Sequence, residues 1–499
     1  MHLTDILIIC AYLVLLPCVT IILSRRGSAQ DFLSAHHDLP WWAICLSLVA
    51  TETSTLTFIS VPGIGYTDGL VFVGLAVGYF IGRGIVALWF LPLYARGAMT
   101  SAYQYLGERF GSKVQHVASG AFLATRLVAE SVRLLAGMLP LVWLMGQAGI
   151  AVNQVSLLCI IMAATLVYTL FGGLRAVVWS DVIQLVLYAV GAVFCVGLLW
   201  PKISRGDWAL ASASGHLSLF HHTHHVLSDP FTPLAAVVGG TILTVASHGT
   251  DQLLVQRLLA AGSLRSARAA LIGSAVLVGG LFGVLSLIGV QLWLVHGGVP
   301  LSALGLKSDD LFPHFIATGL PAGCAGLLVA GVLSATMGSL SSTLNAMAGV
   351  LLTDFGEKPG ALLKKLTKAL HPRGGALVAA RYATVFWAFA LVFCALLLGH
   401  SDRSAVIIGL TVAGWSYGPT LGAFLYGMCV PTATAGDVLK GLWAGLIGMA
   451  AFMGASQLWG FKIAFPWLVP LGVFTMFPVA WLSTKLAKRP KIDLDSDKI

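Results

Sequence analysis

Apolar residues in this chain come in long unbroken blocks, without the strict alternation that marks a half-buried strand. Thirteen blocks stand out, at 5–23, 41–60, 70–94, 117–146, 153–171, 176–200, 232–250, 266–294, 319–354, 376–398, 404–430, 437–457 and 464–485. A helix needs about 20 residues to cross a hydrocarbon layer about 30 Å thick, so each block predicts one span. Continuous blocks argue for a helical bundle and against an outer-membrane barrel.

Within this pattern the block from Leu327 to Asp354 is unusual, because its middle is full of small hydroxylated residues. Ser334, Gly338, Ser341, Ser342 and Asn345 recur at steps of three and four and so share one helical face, while Val332, Leu333, Met337, Leu340 and Leu344 fall mostly elsewhere. Such a face either packs closely on another helix or lines a hydrated cavity. Ser339, Ser341 and Ser342 offer the hard oxygen ligands that a small alkali cation takes in exchange for water.

A second block is polar at its centre. In SLVATETSTLTFISVPG, the run from Thr51 to Thr55 is all hydroxyl or acid, with glycine and proline following. The reading is a helix broken here, with the carbonyls of Ala50 and Thr53 free for a cation. VVGGTILTVASHGTDQ, from Val237 to Gln252, is a second interrupted span five blocks later. Broken helices at corresponding places in two halves point to a transporter built from inverted repeats.

Composition agrees with a polytopic membrane protein: 58% of residues are hydrophobic and only 10% charged, which excludes an ordinary soluble domain. A net charge of +9 raises nucleic acid as a partner, but the basic residues sit between spans. Most of them, including Arg25, Arg26, Arg96, Arg109, Lys113, Arg257, Arg265, Arg268, Lys364, Lys365 and Lys368, fall in loops that are cytoplasmic if the N-terminus is outside and the C-terminus inside. That orientation suits an integral protein of the plasma (bacterial inner) membrane. Lys358 to Arg373 reads as a basic connector near anionic headgroups. The eight cysteines show no CxxC spacing and read as small apolar core residues. HHTHH, in the external loop from Lys202 to Pro230, has metal-ligand types, against the simpler reading of a solvated loop.

Charges inside spans are costly and need partners or water. Glu52, Arg83, Arg126, Glu130, Arg133 and Asp181 are the ones to account for. Arg126, Glu130 and Arg133 can share a helix face, as a structural ion-pair cluster or as a solute site.

Five stretches then resemble the sodium:solute symporter family in order along the chain: SLVATETSTLTFI at Ser47, YLGERFG at Tyr105, YTLFGGLRAVVWSDVIQ at Tyr168, GTDQLLVQRLLAAGS at Gly249 and SATMGSLSSTLNAMAGVLLTDF at Ser334. The resemblance implies an all-α protein of 13 transmembrane helices. Its leucine-transporter-type core would hold five plus five inverted helices, with one extra helix before it and two after. The chain would then divide into an N-terminal helix and loop (1–38), a first repeat (39–200), an external loop (201–231), a second repeat (232–430) and C-terminal helices with a tail (431–499). It also implies a main sodium site at Ala50, Thr53, Ala335, Gly338 and Ser339, although Gly338 stands where relatives usually carry a serine. A second cation site would use Asp181, Ser341 and Ser342. Solute contacts map onto Glu52, Thr57 and Tyr79, with Ala76 in place of a second polar residue, which disfavours a sugar. Arg133 is the expected partner of an anionic group.

The expected function is sodium-coupled import of a small polar organic solute, carboxylate-bearing or zwitterionic, by alternating access and with no resident cofactor. Proton coupling on the same fold is the alternative, suggested by Glu52, Asp181 and the missing serine. A channel or a membrane-embedded enzyme fits less well: polar residues cluster at mid-span, and no HExxH element is present. A monomer suffices as the functional unit.

Overall fold

The computed structural model describes residues 3–23, 39–95, 99, 101–147, 149, 153–355, 375–398 and 405–487. The connector from Lys358 to Arg373, and Arg25, Arg26 and Arg96, lie outside them. The described residues are helical, with one isolated backbone bridge between Leu39 and Ala261.

Hydroxyl side chains end the second helix. α1 is Leu3–Leu23, and α2, Trp41–Glu52, is followed by α3, Thr55–Asp68. Thr51 Oγ1 donates to the Ser47 carbonyl at 2.7 Å and Thr53 Oγ1 to the Val49 carbonyl at 2.5 Å. Side chains that claim carbonyls of the preceding turn compete with the backbone ladder. At Ser54 the backbone is extended, with φ −70° and ψ −179°, and α3 leaves at 61° to α2. The break expected between Thr51 and Thr55 thus falls at Thr53 and Ser54.

α4 (Val71–Ala95) contains a π-helical turn at Val86–Phe90; α5 is Gln104–Phe110 and α6 is Ser112–Gln147. α7, Gln154–Leu199, corrects the sequence reading: blocks 153–171 and 176–200 form one continuous helix of 46 residues. At 1.5 Å per residue a straight helix of that size is about 69 Å long, more than twice the hydrocarbon layer. Two apolar stretches, Gln154–Leu170 and Leu174–Lys202, the second running past the helix end, lie on either side of Phe171, Gly172 and Gly173.

α8 (Arg205–Ala213) lies in the expected external loop. A π-helical turn at Ala235–Gly239 leads into α9, Gly240–Thr250. The chain extends at Asp251, whose carboxylate accepts from Leu253 N at 2.9 Å and so caps α10, Gln252–Leu259. Aspartate caps a helix start well, so the second interruption sits at the end of the predicted stretch. α4 and α9 pack tightly through Gly78, where a Cβ would strike the carbonyls of Ala236 and Val237. Thr241 Oγ1 uses that approach to donate to the Gly78 carbonyl at 3.1 Å.

α11 (Leu264–Val295) packs on α2 and α3, and α12 (Leu311–Gly319) is a short helix before α13, Cys324–Thr353. α13 is the central helix: nearly every residue from Ala325 to Leu352 is buried, against α7, α6, α1 and α14 (Gly375–Leu398). Its start has no side-chain cap of its own. Asp5 of α1 accepts from Gly323 N at 2.8 Å and Gly326 N at 2.9 Å, satisfying donors that helix starts leave open. α15 (Ala405–Cys429), α16 (Ala435–Trp459) and α17 (Leu468–Leu486) complete the bundle. By length and composition, seven described helices are fit to cross a membrane, eight with the bent α2–α3 pair.

Candidate functional site

The break between α2 and α3 lies against α13 and α7. Thr55 Oγ1 and Thr336 Oγ1 are 2.8 Å apart, and Thr53 Oγ1 is 2.9 Å from Tyr188 Oη. Tyr168 Oη donates to the Met337 carbonyl at 2.7 Å. Ala50 and Thr53 on one side, and Ala335, Gly338 and Ser339 on the other, are therefore buried in neighbouring packed elements. Among the described residues the buried Ser339 hydroxyl has no hydrogen-bond partner. An orphaned hydroxyl beside a helix break suits a cation that needs oxygen ligands.

Gly338 is explained by its neighbour. A Cβ there would overlap Gln184 Oε1 and lie 3.3 Å from Asp181 Oδ1, so the carboxamide oxygen fills the space that a side chain at 338 would take. Ser341 Oγ donates to the Gly338 carbonyl at 3.0 Å.

The proposed second cation set is engaged by an arginine. Arg257 of α10, counted above among loop cations, is instead 1% exposed. Its Nη2 lies 3.1 Å from Asp181 Oδ2 and 2.5 Å from Ser342 Oγ, and its Nε donates to Ser47 Oγ at 2.8 Å. Ser47 Oγ in turn donates to Asp181 Oδ2 at 2.6 Å. The guanidinium thus stands where a cation held by Asp181 and Ser342 would stand.

On the other side of the break is a cavity of about 90 Å³, room for several water molecules. Glu52, Thr57, Tyr79 and Arg133, the four expected solute contacts, all line it. Glu52 is ion-paired to Arg83, which is fully buried and bonds Ser274 Oγ at 2.6 Å. Arg133 pairs with Glu130. Arg126 contacts Asp251 at 2.7 Å, Glu130 at 3.8 Å and Tyr417 Oη at 2.9 Å. Ala76 is not among the lining residues, whereas Ser54, His248 and Tyr417 are.

Sequence reasoning missed Arg257, Gln184, His248 and Asp251. Arg257 and Asp251 stand in the motif from Gly249, but nothing in that motif marks their distant partners. In the loop from Lys202 to Pro230 His221 pairs with Asp229 at 2.9 Å, and His216 stacks on Trp293 with ring centres 3.9 Å apart. The described residues include no group of three or more His, Cys, Asp or Glu arranged to hold a metal.

Residues 32–445 match the model of the sodium:solute symporter family. The chain is 27% identical over 443 residues to the sodium/sialic acid symporter SiaT of Proteus mirabilis, covering 87% of this chain and 86% of that protein. It is 30% identical over 456 residues to the human sodium/iodide cotransporter, covering 87% of this chain and 67% of that protein. A solved Na+-coupled sialic acid symporter, in a substrate-bound outward-open state, superposes with a TM-score of 0.81 at 23% identity, covering 97% of this chain and 98% of that one. A nucleobase-cation-symport-1 family transporter, Mhp1, superposes with a TM-score of 0.53 at 15% identity. With the family model spanning most of its length, the broken helix set against the serine-rich helix, and no enzyme among these relatives, this chain belongs to the sodium:solute symporter family.

Proposed function

We propose that the protein is a sodium-coupled symporter that imports a small polar organic solute, carboxylate-bearing or zwitterionic rather than a sugar, by alternating access. One observation carries this reading: a single helix break has Thr53 and Thr55 bonded toward α7 and α13 while Thr51, Glu52, Ser54 and Thr57 line the cavity. Sodium held by Ala50, Thr53, Ala335 and Ser339 would fix the same few residues that shape the solute wall. Binding on one side then favours binding on the other, which is what coupling requires.

Gln184, rather than a serine at 338, is positioned to complete the oxygen set on α13. Sodium is favoured over a proton because Asp181 and Glu52, the two carboxylates raised as proton carriers, each face an arginine. Asp181, Ser341 and Ser342 would accept a second cation only when Arg257 withdraws. If the two apolar stretches of the long α7 helix each count as a span, there are 13 spans in two inverted repeats, the N-terminus lies outside and the C-terminus in the cytoplasm, and one copy suffices. Each sodium entering contributes about 2.3 kcal/mol per 100 mV of membrane potential, besides its concentration gradient.

The test is uptake into proteoliposomes of a radiolabelled panel of amino acids, monocarboxylates and sugars, with sodium and proton gradients imposed separately. Accumulation should follow the sodium gradient and exclude sugars. Accumulation driven by a proton gradient with sodium equal on both sides would overturn the coupling assignment.

A further inference from the structure

The charges around the cavity are arranged so that each wall shows one sign and hides the other. On the α2 wall Glu52 lines the cavity with its side chain 14% exposed, while its partner Arg83 is fully buried behind it and does not line the cavity. Among the described residues no hydrogen bond reaches Glu52 Oε1, since Arg83 takes Oε2. Beside it His248, only 1% exposed, presents an Nε2 with no hydrogen-bond partner, 3.7 Å from Glu52 Oε2 and too far for a bond. Its other nitrogen faces Ser247 Oγ at 2.9 Å.

On the α6 wall the order is reversed. Arg126 and Arg133 line the cavity, two helical turns apart on one face, and their partners Glu130 and Asp251 do not. Arg126 already holds three partners and is only 6% exposed, so Arg133, at 17% and with Glu130 as its partner, is the cation with more capacity left. Glu52 and Arg133 are thus the two charged side chains that remain open to the cavity, and they are opposite in sign.

From this we infer that the solute is a zwitterion, its ammonium group read by Glu52 and His248 and its carboxylate by Arg133. The inference rests on the proposed symport function and narrows its solute class. A simple carboxylate would satisfy Arg133 but leave the Glu52 edge and the His248 nitrogen facing apolar atoms, and a site built around hydrogen-bonding groups rejects an analogue that leaves them unpaired. Arg83 and Ser274 are positioning residues: they hold the Glu52 carboxylate at the wall without touching solute.

The test uses pairs that differ only in the amine: alanine and propionate, proline and cyclopentanecarboxylate, 4-aminobutyrate and butyrate. Each is measured for sodium-driven uptake, and for competition, by wild-type transporter in proteoliposomes. At least one zwitterion should be carried, with an apparent affinity at least about tenfold above its deaminated partner, the scale of a charge-assisted hydrogen bond. In the double variant Glu52→Gln/Arg83→Gln, which removes a charge of each sign, that preference should collapse to near unity while Arg133 still binds the carboxylate. His248→Gln should lower the preference with less risk to folding. Equal or better uptake of the deaminated partners, or acceptance of none of the three zwitterions, would overturn the inference. Zwitterion preference without sodium dependence would leave it standing and sink the coupling reading instead.

Discussion

Gly338 and Gln184 make a prediction that can be followed from atoms to assay. A serine at 338 would put its Cβ onto Gln184 Oε1, with Asp181 Oδ1 3.3 Å away. The carboxamide is a side-chain end and can turn, but Gln184 is 1% exposed and Asp181 is pinned by Ser47 and Arg257, so room is short. Overpacking at such sites costs about 1–3 kcal/mol. Gly338→Ser alone should therefore lower stability in detergent by about 2 kcal/mol and weaken sodium activation of uptake. Gln184→Ala alone should also weaken sodium activation, since it removes an oxygen from the α13 face. Together they should interfere less than their sum, because the serine enters the space the carboxamide leaves and brings a hydroxyl with it. Residues in contact commonly show interaction energies of about 0.5–3 kcal/mol, so a saving of about 1–2 kcal/mol is expected, with sodium activation recovered. Measuring apparent melting midpoints and half-saturating sodium for the four proteins closes the cycle. Additivity within about 0.5 kcal/mol, with no recovery of sodium response, would refute the exchange.

Other outcomes follow from single contacts. Arg257→Gln leaves the buried Asp181 carboxylate without its cation and should cost about 3 kcal/mol of stability, most of it restored by adding Asp181→Asn; equal stability of single and double variants would contradict the pairing. Asp5→Ala removes the acceptor for two amides at the start of α13 and should cost about 2 kcal/mol, whereas Asp5→Asn, which keeps an oxygen there, should cost less; both are read by thermal melting. Partial burial holds the His216 imidazole below its ordinary pKa of about 6.5. A depressed histidine adds stability above its unfolded pKa and loses it as pH falls through the folded value, so acidification below about 6.5 should loosen the loop that carries it. Amide protection across residues 214–231, taken relative to intrinsic exchange at each pH, should fall at low pH in wild type and lose that dependence in His216→Gln.

How much of this was legible in the sequence depends on the range of the interaction. The first break was, because Thr51 and Thr53 disturb their own helix through carbonyls four residues back. The second was visible for a similar reason, since Asp251 caps the helix that begins beside it. Glu52, Thr57 and Tyr79 came from family position and Arg133 from its charge within a span, and the cavity is lined by all four. Contacts between distant elements left no mark: Arg257 looked like one more loop cation, and its partner Asp181 is 76 residues away. Gln184 gained a meaning only when placed beside Gly338. Nothing in the sequence marks Asp5, yet it serves a helix whose first residue is Cys324. The α7 helix was divided in two because a glycine pair followed by an arginine reads as a loop when hydropathy alone is used.

Reciprocal binding gives the most direct test of the shared break. Solute affinity should be measured across a sodium series, and sodium affinity across a solute series, on wild type and Ser339→Ala. The account predicts that each ligand raises the other's affinity by the same factor, and that Ser339→Ala shifts the sodium curve to higher concentration while solute affinity at saturating sodium is kept. Solute binding indifferent to sodium, or a sodium response unchanged in Ser339→Ala, would contradict it.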